Sequence, residues 1–131
     1  MIITSLLCCE IIAQDSTTQK LHIINPLQVI ELPSIPSNFS ISVYLGVLNM
    51  DKEGKDAIRI VFYDDDENMI NDEATINLPV PNGIDLSKPL GVNINLDFRN
   101  LLFSKKGVYC IKVFDLNNGD KEIGKTYFEV I

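Results

Sequence analysis

Hydrophobic and polar residues alternate one by one along most of this chain. That is the period at which side chains fall on opposite faces of an extended strand. "GVNINLDF" puts Val92, Ile94, Leu96 and Phe98 on one face and Asn93, Asn95 and Asp97 on the other. "NFSISVYLGV" does the same, with Phe39, Ile41, Val43, Leu45 and Val47 inward and Ser40, Ser42 and Tyr44 outward. "ATINL" repeats the pattern in Ala74, Ile76 and Leu78. "AIRIVFYD" is apolar on both faces, as a central strand would be. The opening "MIITSLLCCEIIAQ" is also two-sided, and a polar turn at "DSTTQK" separates it from "LHII".

Between these runs lie the breakers. "PSIPSN" and "LNMDKEGKD" separate strands, "YDDDENMINDE" joins two more, and "PVPNGIDLSKP" is a longer connection. "GVYCIKVFD", "LNNGDKE" and "IGKTYFEVI" predict a terminal hairpin with Asn118 and Gly119 in its turn. No long segment carries a helical apolar stripe, and one turn around "RNLLFS" is the most helix the pattern allows. Eight or nine short antiparallel strands, with turn signals roughly every 8–12 residues, predict an all-β fold. The expected architecture is one Greek-key sandwich, immunoglobulin-like or C2-like, over residues 1–131. Gly107 and Tyr109 sharpen it. A Gly-x-Tyr entering the penultimate strand resembles the tyrosine corner of immunoglobulin-like sandwiches, whose hydroxyl bonds back to nearby backbone.

A chain of 131 residues buries roughly two-thirds of its unfolded surface, enough for one core without cross-links. The net charge of -7 argues against nucleic acid or an anionic membrane as partner, since both are bound through clustered Lys and Arg. No apolar run approaches a membrane span. The first basic residue is Lys20 and Glu10 interrupts the opening apolar run, so a secretory signal is not expected and a cytoplasmic location is.

Three cysteines without an export signal do not suggest a disulfide framework. Cys8 and Cys9 would face opposite sides of a strand and so could not readily chelate one metal ion together. Cys8, Cys9 and Cys110 are therefore read as packing residues, with no cofactor.

Three stretches together resemble an uncharacterised family of small bacterial and bacteriophage proteins. They are "LLCCE", "QDSTTQKLHIINPLQVIELPSIP", and the pair "IRIVFYDDDENMI" and "GVYCIKVFDLNNGDKEIGKTYFEVI". Cys9 departs from that family's single cysteine, and "PVPNGIDLSKPLG" is longer and more apolar than its pattern. The resemblance implies a fold and a microbial or phage source, and it brings no catalytic residues.

The candidate sites follow from these readings. No nucleophile elbow, phosphate-cradling glycine loop or metal-type histidine pair occurs, so an enzyme is not expected. The leading expectation is a non-enzymatic module that binds a protein partner or self-associates as a homo-oligomer, acting on a host or phage protein. Tyr44, Tyr63 and Tyr127 fall out of phase with core positions, and tyrosine is favoured at interfaces. Val80, Ile84, Leu86 and Leu90 lie outside any strand in a proline-stiffened loop and join them as contact candidates. An unpaired sheet edge offers another route to a partner. The alternative is a ligand-binding sandwich. It would take Ca²⁺ through Asp64, Asp65, Asp66 and Glu67, with help from Asp51, Glu53, Asp72 or Glu73, because Ca²⁺ needs several hard oxygen ligands. A carbohydrate is the other ligand considered, and the absence of Trp counts against it.

Overall fold

The computed structural model describes all residues from Met1 to Ile131. Nine strands form: β1 (Ile2–Gln14), β2 (Leu21–Pro26), β3 (Val29–Ile30), β4 (Ser37–Leu48), β5 (Ala57–Tyr63), β6 (Thr75–Asn77), β7 (Gly91–Phe103), β8 (Gly107–Asp115) and β9 (Lys121–Val130). They make two sheets, ordered β2-β1-β4-β7 and β3-β9-β8-β5-β6. The all-β sandwich expected from the alternation is what the chain builds. One pairing departs from the antiparallel expectation: β3 runs parallel to β9, with Val29 beside Glu129 and Ile30 beside Val130. The chain crosses between sheets after β2 and therefore meets the last strand from the same end. Helix is limited to one 3₁₀ turn at Leu116–Asn118, and Gly119 follows it in the left-handed region at φ 64°. The turn expected at "RNLLFS" is absent, because β7 continues through it to Phe103.

Connectivity accounts for the edges. In the immunoglobulin arrangement the strands A, B, E and D lie side by side in one sheet, facing C, F and G in the other. Here β1, β4 and β7 take the places of A, B and E, while β5, β8 and β9 take those of C, F and G. Nothing occupies the place of D. Residues 78–90 fill that interval, and they contain Pro79, Pro81 and Pro89 and a left-handed Gly83 at φ 74°. The Asp85 carboxylate accepts from the Ser87 amide at 3.0 Å and closes a turn. Proline cannot donate to a ladder, so this stretch does not form the flanking strand. β7 is left as the edge of its sheet.

That vacancy corrects the burial expected for β7. Val92, Ile94, Leu96 and Phe98 point inward as the alternation requires, yet all four are only half-buried. Ala74, also expected inside, is exposed just ahead of β6, which is cut to three residues. In contrast, Ile41, Val43, Leu45 and Val47 of the interior strand β4 are fully buried.

Five aromatic rings fasten the sheets together. Phe98 and Phe103 come from β7; Phe62, Tyr109 and Phe128 come from the opposite sheet. Phe62 meets Phe98 edge-on at 4.8 Å, and Phe103 meets Tyr109 at 5.1 Å and Phe128 at 6.0 Å. Tyr109 and Phe128 are cross-strand partners stacked at 5.5 Å. The Tyr109 hydroxyl donates to the Lys105 carbonyl at 2.7 Å. Burial pushes that phenol's pKa up, which keeps it a donor. Gly107, at φ 137°, lets the chain enter β8 there; a Cβ at this position would lie 2.8 Å from the Asp65 carboxylate.

The ring cluster gives a graded expectation in denaturant unfolding. Phe103→Ala should cost about 3–5 kcal/mol, as truncation of a large buried aromatic does. Tyr109→Phe should cost about 1–3 kcal/mol, because it leaves the Lys105 carbonyl without its donor. A neutral Tyr109→Phe would show that this hydroxyl does not secure the turn into β8.

Candidate functional site

Sheet edges are the first place to look, because each carries unpaired backbone donors and acceptors. Three of the four edges here are short or broken. β3 has two residues and β6 three, and β2 ends in a left-handed Asn25 (φ 55°) followed by Pro26. The fourth, β7, is 13 residues long. It pairs with β4 from Gly91 to Phe98 without a register shift, and its irregularity comes only at Asn100, which sits at φ 56°. Between Val92 and Phe98 it has no proline and no lysine, and its single charge is Asp97. The side chains that could shield it are turned toward its neighbour: Asp97 accepts from the Ser42 hydroxyl at 2.7 Å, and Asn93 accepts from the Tyr44 hydroxyl. No proline, lysine or bulge blunts this segment, and only at its Asp97–Phe98 end does the β5–β6 connection, through Ile70, Asn71, Asp72 and Ala74, face it across a cavity.

Beside that edge lies a groove of about 800 Å³. On one side it is lined by Asn93 and Asn95 of β7 and by Tyr44, on the other by Gln14, Gln19, Lys20 and Leu21 from the tip of the β1–β2 hairpin. The hairpin reaches this position because β1 follows β4 only as far as Cys9 and thereafter pairs with β2 alone. Ile12, Ser42 and Asp97 line a smaller cavity below it. Ser42, expected outward, is therefore buried.

The acidic run forms a tight tip and brings its own cation. The Asp64 carboxylate accepts from the amides of Asp66 and Asn68, both at 2.9 Å. Lys105, from the β7–β8 turn, contacts Asp65 and Asp66 directly and lies 3.8 Å from Asp64. The hydrogen bonds that the ammonium donates to Asp65 and Asp66 in turn raise its pKa. Desolvation pushes the Asp64 carboxyl up, but the amide donors of Asn68 and Asp66, the Asn68 side chain and Lys105 together hold it below the ordinary carboxylate range. Three of the four additional candidates are spent elsewhere: Asp51 accepts from the Lys55 amide, Glu53 pairs with Lys55, and Glu73 lies 3.9 Å from Arg59. No group of three or more His, Cys, Asp or Glu side chains is arranged to hold a metal ion. The Ca²⁺ expectation for Asp64, Asp65, Asp66 and Glu67 thus meets a loop whose carboxylates surround a lysine.

The tyrosines divide between two faces. Tyr63, Cys110 and Tyr127 form one cross-strand row on the outer face of the second sheet. Lys112 lies 5.2 Å from the Tyr63 ring, Lys125 lies 5.6 Å from the Tyr127 ring, and Tyr127 is the most exposed of the three row members at 54%. Tyr44 is on the far side of the molecule, next to β7. In the proline-rich loop Ile84 and Leu86 are exposed and Val80 is half-buried. Leu90 is a correction: it is 2% exposed, because it stands next to β7 at the end of the loop, where its carbonyl accepts from the Met50 amide at 3.1 Å and its side chain joins the same core cluster as Met50. No helix is long and apolar enough to cross a membrane.

The cysteines pack. Cys8 belongs to the core, and Cys9 faces the other way, where its thiol donates to the Ser42 carbonyl at 3.3 Å. Burial, with the Cys9 sulfur beside it, pushes the Cys8 pKa up to about 12; burial and then Asp97 raise that of Cys9. Cys110 lies in the other sheet and is half-buried. All three are free thiols.

Two outcomes follow. A thiol reagent applied to the native protein should modify Cys110 slowly, leaving Cys8 and Cys9 until the chain unfolds; rapid reaction of all three would contradict their burial. Asp64→Asn should lower the melting temperature near neutral pH. A depressed folded-state pKa stabilises above the unfolded value of about 3.9 and ceases to do so as pH falls through the folded value, so the gap between variant and parent should close in acid. A gap that stays constant down to the acid transition would exclude the Asp64 charge as its source.

An immunoglobulin-like protein from Pseudomonas aeruginosa shares 14% sequence identity, with 99% of this chain and 94% of that chain covered at a TM-score of 0.45. No curated protein matches the chain. Residues 4–131 match a family of unknown function, DUF6941, and the chain belongs to that family.

Proposed function

We propose that this domain is a non-enzymatic protein-binding module whose working surface is the β7 edge, where an extended segment of a partner adds to the sheet. One observation carries the reading. β7 is a long edge strand with an uninterrupted, unguarded stretch from Val92 to Phe98. Strand addition draws affinity from main-chain hydrogen bonds and specificity from alternate side chains. Here the alternate side chains of an incoming strand would meet two different environments. On the inner side they would cover the half-buried Val92, Ile94, Leu96 and Phe98. On the outer side they would enter the groove formed by Tyr44, Asn95, Gln14, Gln19 and Lys20.

The chemistry elsewhere fits a binding role. Three carboxylates of the acidic tip are gathered around Lys105, and the chain's one histidine, His22, is exposed on β2, away from that tip. The contact surface is thus moved from the tyrosines as a set to β7, with Tyr44 as its neighbour. Tyr63, Tyr127, Ile84 and Leu86 lie outside this surface. In the bacterial or phage setting that the sequence resemblance suggests, the partner would be a host or phage protein.

Random nonapeptides arrayed on a surface test this directly. The expected binders alternate apolar and polar side chains. Consecutive residues of an edge strand point their amides to opposite sides, so one of Asn95→Pro and Leu96→Pro removes a bond to β4 and the other an outward donor. The variant that keeps the parent melting temperature should lose at least tenfold in affinity, whereas Tyr127→Ala should not change it. An array without binders, or binders indifferent to that proline, would overturn the proposal.

A further inference from the structure

We infer that the segment seated on β7 is the β7 of a second copy of this chain, paired antiparallel about Asn95 in a two-fold symmetric dimer. This rests on the strand-addition reading above and specifies its occupant.

The argument is one of self-complementarity. A two-fold contact must match a surface with itself, so residues pair reciprocally about one centre. Centred on Asn95, Val92 stands opposite Phe98, Ile94 opposite Leu96, Asn93 opposite Asp97, and Asn95 opposite its own counterpart. The inner face then brings together four half-buried apolar side chains from each copy, the row that the absent flanking strand leaves partly open. On the outer face Asp97 stands opposite Asn93, both with their side chains bonded back to β4, and no two like charges meet.

Neighbouring registers are worse: a centre at Ile94 sets Phe98 opposite Leu90, which lies ahead of the strand and is buried. Moving the centre to Asp97 sets the two carboxylates against each other. Moving it to Leu96 puts Val92 opposite Asn100, whose left-handed backbone departs from the ladder. The Asn95 register uses the regular stretch in full and stops before that break. The dimer would have one continuous eight-stranded sheet, from β2 of one copy to β2 of the other. Each copy carries a net charge of -7, so repulsion opposes the contact and added salt should strengthen it by screening.

Light scattering across a concentration series, at low and at high salt, reads the mass. The expected result is a rise from one chain toward two, shifted to lower concentration by salt and abolished in the well-folded proline variant. Under mild oxidation Asn95→Cys should link to itself, and a mixture of Asn93→Cys and Asp97→Cys should link to each other. Asp97→Cys alone should yield at least tenfold less covalent dimer. A one-chain mass under all conditions, or linkage that does not depend on position, would overturn the inference. Should the peptide array still yield binders in that case, the strand-addition reading stands without the second copy; a blank array would end both.

Discussion

Contact between aromatic rings across the sandwich is the interaction on which the remaining features depend. Phe98 and Phe103 on β7 reach into the rings of Phe62, Tyr109 and Phe128 on the other sheet. β7 has a laddered neighbour on one side only, so these rings, with the bonds to β4, hold it in place. An edge strand without such anchors would fray, and its backbone would not be presented in a fixed line. The same cluster therefore both stabilises the fold and keeps an open edge ordered. Two phenylalanines on the strand with the least lateral support put buried area where the sheet is otherwise weakest.

The open edge follows from residues that β7 does not contain. Pro79, Pro81 and Pro89 keep the preceding segment out of the ladder, and the Asp85 turn folds it at one end of the sandwich. Leu78 and Leu90 at the limits of this segment are buried, so its ends are fixed while its middle stays irregular. A sandwich can be shortened by one strand in this way without losing its core. What remains exposed is the lateral flank of an apolar row, bordered by a groove rich in amides.

Alternation made the strands legible, because a period of two is a direct consequence of backbone geometry. It identified Val92 to Phe98 as an inward row but could not show that the row is half-open, since that depends on whether another strand lies beyond it. The prolines held the missing signal: a stretch that cannot ladder, placed where a flanking strand belongs, implies an uncovered neighbour. Hydropathy treated Ile84, Leu86 and Leu90 alike, and a backbone bond to Met50 separates Leu90 from the other two. The acidic run was legible as a turn, whereas its counter-ion was not, because Lys105 stands 39 residues from Asp66. The surroundings of Cys9 were not legible. The residue is buried on the outer face because β1 leaves β4 beside it, an event with no local marker beyond Glu10.

Lys105 fastens two parts of the molecule by different atoms: its carbonyl receives the Tyr109 hydroxyl, and its ammonium gathers the acidic tip. The first attachment belongs to the backbone and survives any change of side chain; the second rests on surface charges that ions can screen. The tip can thus be loosened, lengthened or replaced while the turn into β8 beneath it stays closed. For anyone wishing to display a foreign loop on this scaffold, that separation makes the turn after β5 the natural graft point.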